Sequence, residues 1–142
     1  MKKSHLLLLA TVLAVTFPAF SQKSTLQKKE DILKSVEKHQ QELIALSDDI
    51  WSYAETALME HKSSKALADY AEAQGFTVER NVADLPTAFI ASYGSGKPII
   101  GIMGEYDALP GLSQKAQTTK EALNADAPGH GCGHNMFGPG SL

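Results

Sequence analysis

The stretch "PIIGIMG", residues 98–104, constrains the fold more than any other part of the chain. Ile99, Ile100, Ile102 and Met103 leave no polar face, a pattern expected of a strand covered on both sides. Directly after it, "GEYDALPG" places Glu105 and Asp107 at the strand's end, where α/β sheets tend to build their ligand sites. The fold class this predicts is α/β, with helices packed on a sheet that has the isoleucine run near its centre.

The surrounding sequence supplies such elements. Over residues 25 to about 54, Ile32, Leu33, Val36, Leu43, Leu46, Ile50, Trp51 and Ala54 recur at steps of three and four, which predicts an amphipathic helix with Thr25 as its cap. The stripe becomes dense only after Leu43, so the earlier turns read as an exposed extension. Trp51 and Tyr53 are expected in the core. A second helix is predicted from His61 or Ser63 to Gln74, closed by Gly75. "FTVER" and "TAFIASY" have the β-branched and aromatic content of strands. "GSGK", residues 94–97, reads as a hairpin turn into the isoleucine run. Residues 112–128 carry no period and form a polar loop. Asn135 is a candidate cap for a helix starting at Met136, against which "GPG" at residues 138–140 argues.

The N-terminus has the layout of a secretory signal peptide: Lys2 and Lys3, an apolar run over residues 6–17, Pro18, and small residues near an expected cleavage after Ser21. The run is shorter than the roughly 18 residues a spanning helix needs. The expected organisation is therefore residues 1–21 as signal peptide and 22–142 as one domain, periplasmic or secreted. Loss of Lys2 and Lys3 takes the formal charge from -3 to -5. An acidic chain with no basic cluster argues against nucleic acid and against an anionic membrane as partners.

One cysteine permits no internal disulfide, and an exposed thiol in an oxidising compartment needs a reason to be there. Cys132 lies in "GHGCGHN", residues 129–135, one residue from His134. Thiolate and imidazole suit zinc and similar divalent ions, and three glycines let the backbone close around one. Two ligands do not complete a site. Glu105 and Asp107 are candidates either as further ligands or as carboxylates that orient a histidine. His130 is a third candidate ligand or a plain loop histidine. The same residues also allow an inert glycine loop with solvated turn carboxylates, Asp107 capping its own turn, or a Cys132 nucleophile beside His134, which is awkward for such close neighbours. Glu55, Glu60 and His61 read as an exposed polar cluster between the helices, without chemistry.

Three longer stretches resemble a known family: "WSYAETALMEHKSSKALADYAEAQGFTVER", "LPTAFIASYGSGKPIIGIMGEYDALPGLSQKA" and "GHGCGHNMFGPGSL". They resemble the N-terminal part of the amidohydrolase branch of the aminoacylase and carboxypeptidase G metallopeptidases, in particular the aminobenzoyl-glutamate hydrolase-like proteins. The resemblance covers residues 50–142. It implies a zinc or manganese enzyme that hydrolyses the amide bond of a small molecule, an N-acyl amino acid or an aminobenzoyl-glutamate-like compound. It implies the N-terminal part of a zinc-peptidase-like catalytic domain, with helices on a twisted mixed sheet, and a separate dimerisation domain that makes full-length relatives homodimers. Cys132 and His134 match the family's metal ligands, Asp107 the aspartate beside the metal, and Glu105 a position where many relatives have a different ligand. Bound metal would activate a water, with a glutamate as general base. That glutamate and the later histidine ligand are expected beyond residue 142, which makes the chain an incomplete catalyst by expectation. The competing expectation is a secreted, noncatalytic binding module with a vestigial metal motif.

Overall fold

The computed structural model describes residues 24–142; the signal peptide expected over residues 1–21 lies outside them. Two units divide the chain at Ser35 and Val36. The described part of the first is the opening turns of α1 (Thr25–Tyr53), and the second holds the remaining elements.

Helix α1 has the predicted extent, but its cap is one residue earlier. Ser24 Oγ accepts the Gln27 amide at 3.2 Å, the usual geometry for satisfying a free first-turn donor. Burial along α1 follows the uneven stripe. Leu46 and Ile50 are buried, whereas Leu26, Ile32, Leu33 and Val36 are all more than half exposed. Trp51 and Tyr53 are only half-buried, which corrects their expected place in the core. They flank Ile50 on the helix, so when Ile50 faces inward they sit to either side of the buried line.

Helix α2 (His61–Ala73) buries Leu67, Ala68 and Ala71. The turn after it passes through Gly75 at φ 90°, a left-handed conformation that favours glycine. Leu46, Ile50 and Leu67 form the centre of the core, with Tyr70, Phe89 and Tyr106 packed around them. Strands β1 (Thr77–Arg80) and β2 (Phe89–Ser92) pair antiparallel, Thr77 opposite Ser92 and Arg80 opposite Phe89. They rest against α2, with Phe89 and Ala91 turned inward and Ile90 outward. Arg80 closes this edge by reaching Asp69 and Glu72 of α2, each at 2.9 Å.

The sheet differs from expectation. Among the described residues it has two strands, and residues 99–103 form no ladder. Ile99 and Ile100 are 84% and 81% exposed. An apolar run without a polar face needs neighbours on both sides, and among the described residues no strand lies beside this one. "GSGK" therefore does not turn a hairpin; β1 and β2 are joined instead through a short 3-10 turn at Val82–Asp84. The molecule is mixed α/β, with helices and a small antiparallel sheet. Among the described residues, no helix is long and apolar enough to cross a membrane.

Two outcomes follow from this burial. Ile50→Ala should cost about 2–5 kcal/mol in urea denaturation followed by Trp51 fluorescence, whereas Leu33→Ala should stay within about 0.5 kcal/mol. The exposed run should bind a hydrophobic dye and drive concentration-dependent self-association. Light scattering should show that association reduced in an Ile100→Lys, Ile102→Lys double variant.

Candidate functional site

Three separate stretches meet through backbone pairing after residue 104. The Ala108 amide donates to the Glu55 carbonyl at 2.7 Å, and Thr56 and Ala108 form a parallel bridge. On the other side Leu109 and Gly129 exchange two hydrogen bonds, both 3.0 Å. The segment carrying both carboxylates is thus held between the end of α1 and the start of the glycine-rich loop, with Ala108 buried. Gly129 is obligatory in this arrangement, because a Cβ there would lie 2.1 Å from the Leu112 carbonyl oxygen.

The short helix α3 (His134–Gly140) begins inside the loop. Gly133, at φ 76°, is the left-handed residue that turns the chain into it. Asn135 is therefore not its cap: the side chain donates instead to Ser47 Oγ at 3.2 Å. Gly138 lets α3 lie close to the carboxylate segment, with Glu105 O and Tyr106 Cβ within 3.3 Å of where its own Cβ would be.

This geometry puts His134 between the two predicted carboxylates. Its Nδ1 lies 2.7 Å from Asp107 Oδ1 and its Nε2 2.9 Å from Glu105 Oε2. Asp107 is thus the orienting partner of the ring rather than the cap of its own turn. A neutral imidazole has a single N–H, so it can donate to one of these oxygens only. The Nε2 side is therefore where a cation, or a second proton, would relieve the meeting of lone pairs. Asp107 and His134 are about three-quarters buried or more, while Glu105 is about half exposed.

His130 takes a different position. Its Nε2–H donates to the Ile50 carbonyl at 3.0 Å, tying the loop to the last turns of α1. Its Nδ1 is buried without a partner among the described residues. Burial holds its pKa below the usual histidine value, with the Ile50 carbonyl pulling the other way. A neutral ring protonated at Nε2 satisfies both facts. Cys132 is a free, exposed thiol.

The donor set is chemically apt for zinc or manganese: a thiol, an imidazole and carboxylates. It is not a complete site, since among the described residues no three or more His, Cys, Asp and Glu side chains are grouped so that they could hold an ion.

Sequence reasoning missed the junction before α2. Glu55 is not part of a solvated cluster: its carboxylate accepts the Lys62 and Ser63 amides and the Ser63 hydroxyl, all at 2.9–3.0 Å, and so caps α2. Glu60 is buried and accepts the Thr87 hydroxyl at 2.7 Å. Tyr106 donates its hydroxyl to the Thr87 carbonyl and stacks on Phe89 at 6.2 Å between centroids. Burial raises the Tyr106 pKa, with a bond to Ser64 opposing and the Glu60 charge adding. The available signal was a glutamate just ahead of a helix containing Ser63 and Ser64, a common N-terminal arrangement.

No family model matches the chain. It is similar to a p-aminobenzoyl-glutamate hydrolase chain of Escherichia coli strain K12, with 47% identity over 105 residues, 73% of this chain and 22% of that protein. It is also similar to Xaa-Arg dipeptidase of Homo sapiens, with 33% identity over 107 residues, 66% of this chain and 21% of that protein. The chain spans about a fifth of the length of these curated relatives. Both are hydrolases by name, and with near-half identity to the first over most of its length, the chain belongs to their family of M20-type peptidases and amidohydrolases.

Proposed function

We propose that this chain is part of an amidohydrolase acting on aminobenzoyl-glutamate, an N-acyl amino acid or a dipeptide-like amide. Its part of the active centre is the cluster of His134, Asp107 and Glu105, with Cys132 beside it in sequence. The observation that supports this most is the seating of His134, with Asp107 on Nδ1 and Nε2 left toward Glu105. A carboxylate on one ring nitrogen is the usual way to present the other to a divalent ion. On this reading Cys132 and His134 ligate zinc or manganese, Glu105 and His130 stand behind them, and other protein segments supply the remaining donors and the general base. The 142 residues therefore hydrolyse no amide unaided, and full-length proteins of this kind pair as homodimers. Export through residues 1–21, with cleavage after Ser21, belongs to the same reading.

A chimera tests it. The segment of the Escherichia coli p-aminobenzoyl-glutamate hydrolase that matches this chain is replaced by the chain's own residues. The product should release p-aminobenzoate from p-aminobenzoyl-glutamate when supplied with zinc or manganese. Cys132→Ser and His134→Ala should abolish both turnover and retained metal, and Asp107→Asn should lower activity or metal affinity about 10–100-fold. A folded chimera that turns over equally well without Cys132 and His134 would sink the assignment.

The chain alone should lose zinc on dialysis, since two protein ligands hold an ion weakly. Elemental analysis that found one tightly held zinc per chain would contradict the shared-centre reading.

A further inference from the structure

The residues that the hydrolase reading leaves unused converge on Tyr106, which stands between the two carboxylates in sequence. In an extended segment, neighbouring side chains point to opposite sides. Glu105 and Asp107 meet His134, whereas Tyr106 runs the other way into the core beside Phe89 and Leu67. There its hydroxyl donates to the carbonyl of Thr87, and the Thr87 hydroxyl donates to Glu60 at 2.7 Å. Thr87 and Glu60 are both buried. A buried carboxylate is costly to keep unless it is hydrogen-bonded, so this chain of contacts is held to a narrow geometry. Glu60 directly precedes α2, whose N-terminus is capped by Glu55, and the Glu55 carbonyl holds Ala108. The carboxylate segment is therefore fixed twice to the same junction, by backbone at Ala108 and by side chain at Tyr106.

We infer that Tyr106, through Thr87 and Glu60, is a positioning residue that sets the rotation of the 105–107 segment and thereby aims Glu105 and Asp107 at the two nitrogens of His134. This rests on the hydrolase reading only for the role of His134; the geometric claim stands or falls without it. Tyr106→Phe keeps the ring and its stacking and removes only the hydroxyl. Thr87→Val removes the bond to Glu60, and Thr87→Ser keeps it.

The test is carbethoxylation of the full chain by diethyl pyrocarbonate at fixed pH, with the rate at each histidine read by tandem mass spectrometry. It needs no activity and no metal. His61, exposed, reports reagent strength, and His130, bonded to Ile50 and partly buried, reports general loosening. In Tyr106→Phe and Thr87→Val the His134 rate should rise about fivefold, the factor expected from one lost hydrogen bond. His61 and His130 should keep their rates, and Thr87→Ser should match the unaltered chain. An unchanged His134 rate in both variants overturns the inference. So does a parallel rise of His130 and His134 in both, which would mean that the network only stabilises the core. Failure of the chimera to hydrolyse, with this result intact, would count against the hydrolase reading alone.

Discussion

The backbone bond from the Ala108 amide to the Glu55 carbonyl is the contact on which the site depends. A residue paired on only one side is free to rotate about that contact, but residues 108 and 109 are paired on opposite sides, to the α1–α2 junction and to Gly129. With both edges taken, the chain before Ala108 has one direction to go, and Asp107 arrives at His134 already oriented. Preorganisation of this kind lets short side chains such as aspartate act at fixed distance. A catalytic or ligating histidine gains from it because its tautomer and ring plane are set before anything binds.

The sequence was legible where periodicity and punctuation agreed. Helices α1 and α2 follow from apolar residues at steps of three and four and from Gly75; β1 and β2 follow from β-branched and aromatic content. The isoleucine run was misread for a physical reason. Its pattern reports the environment that suits it, two covered faces, and a pattern cannot create the neighbours that would provide it. Trp51 was misplaced because a large aromatic beside a stripe resembles one within it. In the site, the pairing of carboxylates with histidine was readable from residue types alone, whereas its geometry was not. The role of Glu55 and Glu60 was hidden, since an acidic residue before a helix looks the same in sequence whether it is solvated, capping or buried.

The two carboxylates around His134 also define an electrostatic character. Two acceptors and one ring leave a surplus of lone pairs, and such a cluster is relieved by positive charge. Glu105, half exposed, is the more easily moved of the two, and Asp107, deeper, the more fixed. The cluster is thus asymmetric: one side anchors the imidazole and the other faces outward.

The close approach of Leu112 to Gly129 has a consequence for the long polar loop. Its neck is fastened at Ser113 to Ala127, at 3.0 Å, just inside the Leu109 and Gly129 pair. Beyond the neck the loop is tied mainly to itself, by Gln114, Lys115 and Glu121. Closing a longer loop costs little extra entropy once the ends are fixed. The stretch between residues 116 and 126 is consequently a region where length and composition can drift between relatives without disturbing His134, whereas the single glycine at its base cannot gain even a methyl group.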